Sequence, residues 1–419
     1  MHETNWGGNH TYRAERLHRP STLDEVREIV ARAPRVRVVG SRHSFSDIGD
    51  SLELLALDGL PADVSVDHAA RTVTLAAGLT YAELAEALRP EGVALQNLAS
   101  LPHISVGGAI ATATHGSGES GGNLATAVAG IEMVTSSGDI VTASRGDEDF
   151  DGLVVGLGAL GAVTRVTLDV EPAYDVRQRV FEGLSWEALF RDFDAVSASA
   201  DSVSVFTRWE DATAQVWLKS RVTGDPEDVR AAFFGAPAAT VERHPILGID
   251  PVNCTPQLGV PGPWYDRLPH FRMGFMPSSG AEIQSEYFVA RRDAVAAISA
   301  TLAVGDAIRP VLQVSEIRTI AADRLWMSPQ YGRDTVALHF TWTRDQPAVE
   351  RALLELEAAL APFAARPHWG KLFLADAATI APLYERLPDF AGIVERYDPR
   401  GAFRNGWLER RVLGPSAGR

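Results

Sequence analysis

With 419 residues, 46% of them hydrophobic and 22% charged, the chain has length for roughly two or three domains and a core large enough to need no disulfides. Its formal net charge of −15 argues against nucleic acid and anionic membrane as partners. The single cysteine, Cys254, excludes an internal disulfide and any CxxC metal or redox motif.

The segment Met1 to Tyr12 is polar and lacks a signal-peptide apolar centre. No apolar run reaches membrane-spanning length, so the default expectation is a cytoplasmic protein. After Pro20, Ser21-Thr22-Leu23-Asp24-Glu25-Val26 has the pattern of a helix start, with Ser21 or Thr22 as N-cap. Val36, Val38 and Val39 then predict a short, mostly buried strand ending at Gly40, where a glycine allows a sharp turn and close approach to a ligand. Ser41, Arg42, His43, Ser44 and Phe45 follow. Their N–H groups, hydroxyls and guanidinium suit an anion such as a dinucleotide pyrophosphate. His43 has two readings. One is a hydrogen bond that steadies a turn. The other is a nucleophile that attacks the 8α-methyl carbon of a flavin and stays bonded to it.

Alternation predicts strands between Val64 and Leu75, and a helix from Tyr81 to about Leu88 behind Thr80. The stretch Leu98 to Gly122 is rich in Gly, Ala, Ser and Thr, so a large flat ligand can lie against its backbone. Ile104, Val106 and Ile110 want burial, which argues against a flexible linker. Ser136-Ser137-Gly138 marks a hairpin between Ile131–Val134 and Asp139–Thr142. Gly156 to Gly161 matches GxGxxG, but an alternating strand pattern follows it instead of a helix, so a Rossmann site is rejected. Those glycines read as close backbone packing along an adenine.

Beyond Pro172 aromatic residues become common and a second domain is expected. Ser204–Trp209 and Gln215–Lys219 read as strands, Arg291–Leu302 and Ala348–Leu360 as helices, and Pro245 to Pro277 as a long ordered loop over another domain. In Gln313–Arg318 the period of two puts Glu316 and Arg318 on one face, and in Leu338–Thr343 it groups His339, Thr341 and Thr343. Lys371 follows shortly after. These residues make either a solvated sheet face or a polar wall for a ligand with several hydroxyls.

Taken together these stretches resemble the flavoprotein oxidases of the vanillyl-alcohol oxidase type, nearest to the alditol oxidases, with sugar-lactone oxidoreductases close by. The resemblance covers nearly the whole chain. It rests on Gly40-Ser41-Arg42-His43-Ser44, Ala99-Ser100-Leu101-Pro102-His103-Ile104-Ser105, Thr112-Ala113-Thr114-His115-Gly116, Gly158–Gly161, Asp398–Asn405 and the wall residues. It implies an α+β fold. A two-part FAD-binding domain spans 1–172, a substrate-binding cap with a large antiparallel sheet flanked by helices spans 173–372, and a segment over 373–419 returns to the FAD domain. It implies FAD bonded to His43, and cofactor contacts from Gly40 through Phe45, Ala99, Ser100, Ser105, Gly108, Thr112, Thr114, His115, Gly116, Gly158, Gly161 and Val163.

The implied reaction is oxidation of a polyol's terminal hydroxyl, with O2 as acceptor and hydrogen peroxide as product, by a monomer without a metal. Arg318 and Lys371 would stabilise the developing alkoxide, and His339 would accept or orient the proton. Ser100, Glu316, Arg318, Thr341 and Lys371 would hold the substrate. A sugar-lactone oxidoreductase and a flavin- or polyol-binding protein without turnover are the alternatives. Position 42 is Arg where relatives often have Gly, Glu119 stands where alditol oxidases can carry an apolar residue, and Ala99 takes the position of the oxygen gate. The Leu98–Gly122 stretch has no Cys for a second flavin bond.

Overall fold

The computed structural model describes residues 3–224, 231–275 and 282–414. The first helix, Leu23–Arg32, begins behind Thr22, whose hydroxyl accepts from Glu25 N at 3.2 Å. It buries Val26 and Val30 beside a three-stranded parallel sheet of Arg16–His18, Glu53–Ala56 and Val36–Val39, with Glu53–Ala56 in the middle. Thr80 and Glu83 form a reciprocal capping box for Tyr81–Leu88, which satisfies two of that helix's orphan donors. The expected hairpin is present as Val128–Val134 and Ile140–Ser144. With Ala162–Asp169, Thr72–Ala76 and Val64–Asp67 it makes a five-stranded antiparallel sheet. Gly156–Gly161 runs directly into the Ala162–Asp169 strand, so no helix opens within it.

The Leu98–Gly122 stretch is anchored: Ile104, Val106, Ala109, Ile110 and Ala113 are all buried. It also contains a helix, Val106–Ala111, which the sequence does not predict because Gly107 and Gly108 are poor helix formers. Their place there is steric. A Cβ on Gly107 would stand 3.0 Å from the Ala77 carbonyl oxygen.

Residues beyond Pro172 supply an eight-stranded antiparallel sheet. Its order is Gly262–Pro263, Asp175–Glu182, Gln215–Arg221, Ser202–Thr207, Leu312–Ile320, Thr335–Trp342, Ile283–Ala290 and Arg366–Pro367. One face carries polar side chains at its centre. Behind the centre, Trp186, Trp209, Phe340 and Trp342 stack in a row, with successive ring centroids 5.8, 5.9 and 5.0 Å apart. Helices Ala294–Ala303 and Gln346–Leu360 bury their apolar sides in the same core. The expected loop from Pro245 covers the polar face as far as Phe275. Its last two residues, 276 and 277, lie outside the described residues, as do 415–419 of the C-terminal segment. No single helix among the described residues is long and apolar enough to cross a membrane.

The C-terminal segment closes on the first sheet. Val36 N donates to Ala402 O at 2.7 Å, and Asn405 Nδ2 donates to Ile48 O and Asp50 O at 3.0 and 2.9 Å. The strongest tie is one that hydrophobic pattern reading passes over. In the Val36–Val39 strand, Val38 is only half-buried, while Arg37 is 3% exposed. Its guanidinium donates to four carbonyls: Gly158 and Phe403 at 2.6 and 3.0 Å, Ile48 and Leu157 at 2.7 Å each. Burial lowers its pKa to about 10 against the attraction of Asp398. Arg37 therefore joins the Val36–Val39 strand to the Ile48 turn, the glycine turn and the returning C-terminus. Replacing it by Met leaves four carbonyls without their donor, and each orphaned buried group costs about 1–3 kcal/mol. We expect Arg37→Met to lower the urea midpoint by the equivalent of about 3 kcal/mol or more, with an unchanged m value. An unchanged midpoint would show that other donors satisfy those carbonyls.

Candidate active site

The two FAD-type loops and the polar face of the large sheet meet around one cavity of about 470 Å³. Gly40 through Phe45 line it, as do Ala99, Ser100, Ser105, Gly108, Thr112, Thr114, His115 and Gly158. So do Glu316, Arg318, His339, Thr341 and Lys371. Three residues implied as cofactor contacts are absent from its lining: Gly116, Gly161 and Val163. Gly116 is pressed against Asn97, and Gly161 against the Val134 carbonyl, 2.7 Å from where its Cβ would be. Val163 pairs with Met133 within the five-stranded sheet. Thr343 lies past the end of its strand and also off the cavity. Glu119 is turned to an ion pair with Arg291.

The two loops interlock through small residues. A Cβ on Gly40 would stand 1.9 Å from Ser105 Oγ, so only glycine fits there. Ser105 N donates to Ser41 Oγ at 3.2 Å, and Phe45 N donates to Gly370 O at 2.8 Å, next to Lys371. The N–H groups of Ser41, Arg42, His43 and Ser44 have no backbone acceptor among the described residues. Four such donors at a cavity wall suit a pyrophosphate. Both ring nitrogens of His43 are buried without a hydrogen bond. Burial, partly offset by the Ser41 backbone, lowers its pKa to about 4, so the ring is neutral near pH 7 and retains a nucleophilic lone pair. These features fit FAD: donors for the phosphates, side-chain-free walls for a flat ring, and an imidazole with unused valence.

The opposite wall is built by strand register. Glu286 and Glu316 are both directly opposite His339, one on each neighbouring strand. Arg318 lies two residues along from Glu316 on the same face. The Glu286 side chain is fully buried. Its Oε1 accepts from Arg318 Nη2 at 2.6 Å and its Oε2 from Lys371 Nζ at 2.7 Å, with His115 Nε2 at 3.2 Å. Burial alone would raise the pKa of Glu286, but Lys371, His115 and Arg318 hold it well below the usual carboxylate range. Glu316 is likewise held low, by Arg318 and His270 against burial. Two carboxylates thus face two cations in a water-poor site. The glutamate and arginine side chains are at most 6% exposed, which excludes the solvated-face reading.

Lys371 Nζ also donates to His339 Nδ1 at 2.7 Å, while His339 Nε2 lies 3.1 Å from Thr341 Oγ1. An ammonium has no acceptor, so Nδ1 takes the hydrogen bond and Nε2 carries the proton. Burial, reinforced by Lys371, lowers the His339 pKa to about 4.

Sequence reasoning missed Glu286, His270 and Lys219. His270 Nε2 lies 2.9 Å from Glu316 Oε1, and its Nδ1 is 3.2 Å from Lys219 Nζ. Lys219 is 1% exposed and its ammonium also donates to Pro269 O at 3.0 Å. Burial lowers its pKa to about 7. The signal for Glu286 was present: one acidic residue inside Ile283–Ala290, an otherwise largely apolar strand. His270 and Lys219 meet only through the covering loop, and no local pattern encodes that.

The pH consequence for His270 follows from its pKa of about 4, lowered first by burial and then by Lys219. An unfolded histidine titrates near 6.5, so as pH falls from 6.5 toward 4 the unfolded chain takes up a proton that the folded chain refuses. The stability contributed by this group is present above 6.5 and is lost across that window. Between pH 6.5 and 5 the loss is about 2 kcal/mol. His270→Gln removes it, so urea midpoints measured at both pH values should fall less steeply in the variant. Parallel curves would show that His270 does not carry this term.

Comparison with known proteins agrees with this geometry. A family described as FAD binding domain matches residues 14–144, and one described as D-arabinono-1,4-lactone oxidase matches residues 285–411. Over 410 residues the chain is 49% identical to a curated alditol oxidase from Streptomyces sp. (strain IKD472 / FERM P-14339), covering 97% of each. It is 28% identical over 436 residues to an L-gulono-1,4-lactone dehydrogenase of Mycobacterium tuberculosis (98% of this chain, 99% of that one). Among solved structures, a cholesterol oxidase from B. sterolicum superposes with a TM-score of 0.79 at 15% identity, covering 98% and 96% of the two chains, a likeness of fold.

Proposed function

The chain belongs to the alditol oxidase family of FAD-dependent oxidoreductases, and from that membership and the cavity chemistry we propose oxidation of the terminal hydroxyl of xylitol- and sorbitol-like alditols to the aldose, with O2 reduced to hydrogen peroxide and the FAD bonded to His43. The observation that carries the reading is the set of donors left over on the buried wall. Lys371 has three N–H donors and uses two of them, on Glu286 and His339. Arg318 Nε, 3.5 Å from Glu316 Oε2, has no hydrogen bond.

FAD, when bound, supplies the acceptor for a hydride from the carbinol carbon. The chain's own residues do the rest. Arg318 and Lys371 present their unused donors to the substrate oxygen, where negative charge grows as hydride leaves. Their attraction is therefore stronger in the transition state than in the ground state. Glu286 holds both cations in place before substrate arrives, so no reorganisation is needed at that moment. Glu316, with Oε1 held by His270, keeps Oε2 for a hydroxyl farther along the polyol. Ser100 and Thr341 add further partners and fix the carbon over the cofactor site. His339 is a weak base with both nitrogens engaged. Its role is to orient Lys371 and Thr341.

The sugar-lactone alternative is weaker, because the lactone-acting relatives that span the chain share 24 to 28% identity with it against 49%. A non-turnover binding protein would not need two cations with spare donors on a buried wall.

A peroxide assay across xylitol, sorbitol and a sugar lactone tests the reading. Turnover confined to the lactone would overturn it. Stopped-flow flavin reduction tests the roles: Arg318→Ala or Lys371→Ala should slow it by about 10²-fold or more. A nearly unchanged rate with weakened binding would reduce both cations to substrate placement. For Glu316→Gln, kcat/KM should fall most with xylitol or sorbitol and least with 1,2-propanediol, which lacks the distant hydroxyls. Equal losses would remove Glu316 from polyol reading.

A further inference from the structure

We infer that residues 3–9 form a strap that positions His43 for its covalent attachment to the flavin, and that Trp6 is the positioning residue within it; this rests on the FAD and His43 reading above. The strap holds four consecutive loop residues one by one. Glu3 forms an ion pair with Arg42, and Trp6 N donates to Arg42 O at 2.9 Å. The Trp6 indole stacks on the His43 imidazole, with ring centroids 4.5 Å apart and planes 21° from parallel. Asn5 Nδ2 donates to Ser44 O at 2.8 Å, and Asn9 Nδ2 donates to Phe45 O at 3.0 Å. The strap is itself anchored: Asn5 N donates to His10 O and His10 N to Asn5 Oδ1, each at 3.0 Å, and Asn9 Nδ2 donates to Gln346 Oε1 at 3.0 Å, at the start of the Gln346–Leu360 helix.

The loop needs holding because Arg42 has φ +58°, a left-handed conformation that is unfavourable for a residue with a Cβ. His43 needs it for a second reason. The Ser41 backbone lies near one ring nitrogen but no well-formed hydrogen bond holds the ring, so the stack on Trp6 is the main contact that sets its plane. A stack is suited to this task. It constrains the plane from one face and leaves both in-plane nitrogens unencumbered, and the nucleophilic lone pair lies in that plane. A hydrogen bond would fix the ring by consuming one of those nitrogens.

In the attachment, one His43 nitrogen forms a bond to the 8α-carbon. A C–H bond of that methyl group breaks, its proton and the imidazole N–H proton are released, and the electron pair passes into the flavin ring system. Dioxygen then takes the two electrons and two protons as hydrogen peroxide.

The test uses full-length wild type, Trp6→Phe, Trp6→Leu and, as a control, His43→Ala. For each purified protein, acid-stable flavin is read by in-gel fluorescence and acid-released FAD by its absorbance, before and during incubation with added FAD in air. We expect Trp6→Phe, which keeps a stacking face, to label close to the wild-type rate. Trp6→Leu should bind FAD but attach it on the order of 10-fold more slowly, since small misplacements of a reacting group have effects of that size or larger. Trp6→Met, bulky without a flat face, replaces Trp6→Leu if the latter is insoluble. Labelling of these variants at the wild-type rate overturns the role of Trp6. So does a loss of covalent and released flavin in equal proportion, which would make the strap a general support for binding. A wild type with no acid-stable flavin would instead overturn the His43 bond itself.

Discussion

The site depends on a carboxylate that touches no solvent. Glu286 sits mid-strand in Ile283–Ala290 with a fully buried side chain and joins Arg318 to Lys371. Two cations side by side in a water-poor cavity repel each other, and without a shared anion Arg318 would drift toward solvent and Lys371 would do so or lose its proton. With that anion in place they are fixed, paired and still not saturated. Removing one member of such a buried group costs about 3–5 kcal/mol, because the charge left behind is uncompensated. The arrangement is thus coupled to the fold, and the stability of the sheet keeps the cations where chemistry needs them.

That coupling accounts for much of the surrounding structure. Glu286, His339 and Glu316 lie in one row only if three strands keep their register, and a slip of one residue in any of them would turn that strand's member to the back face. The back face is filled by the stack of Trp186, Trp209, Phe340 and Trp342, large apolar groups that have no place in the cavity. Polar row and aromatic row specify the same register from opposite sides. The Pro245 loop then covers the front and places His270 between Glu316 and Lys219, which comes from the sheet strand Gln215–Arg221. Glu316 thereby has one oxygen committed to the protein, and the orientation of the other is set.

The fold was legible in the sequence wherever a local rule decides it. The helix start at Ser21 or Thr22, the Thr80 cap, the Ser136–Gly138 hairpin and the rejection of a Rossmann turn at Gly156 each follow from a few residues and a period. Glu316, Arg318, His339 and Thr341 were legible for the same reason, since alternation in a strand reports a shared face. What stayed hidden has a common physical cause. Arg37 is buried by four carbonyls drawn from three distant segments, and no periodicity records a carbonyl's position. The Val106–Ala111 helix contains two glycines because of the Ala77 carbonyl and Ser105 hydroxyl pressed against them, a tertiary reason that overrides propensity. Gly161 belongs to the same class. Its lack of a side chain serves the Val134 carbonyl, though the motif suggested a ligand.

Across the cavity the two walls are prepared in opposite electrostatic states, as the two proposed chemistries require. On the sheet wall, charges are kept by pairing them: Glu286 and Glu316 stay ionised despite burial because Arg318, Lys371 and the histidines outweigh desolvation. On the loop wall, His43 has no carboxylate partner, and burial keeps it neutral. An alkoxide forming near paired cations needs fixed positive charge, whereas an imidazole that is to act as a nucleophile must not carry a proton. Had the loop placed an acidic side chain against His43, the ring would have been drawn toward imidazolium and its lone pair lost. The loop uses Trp6 there instead, a flat apolar face that restrains the ring without changing its charge. The acid that is nearby, Glu3, is turned to Arg42, where it answers a cation already present and leaves the imidazole alone.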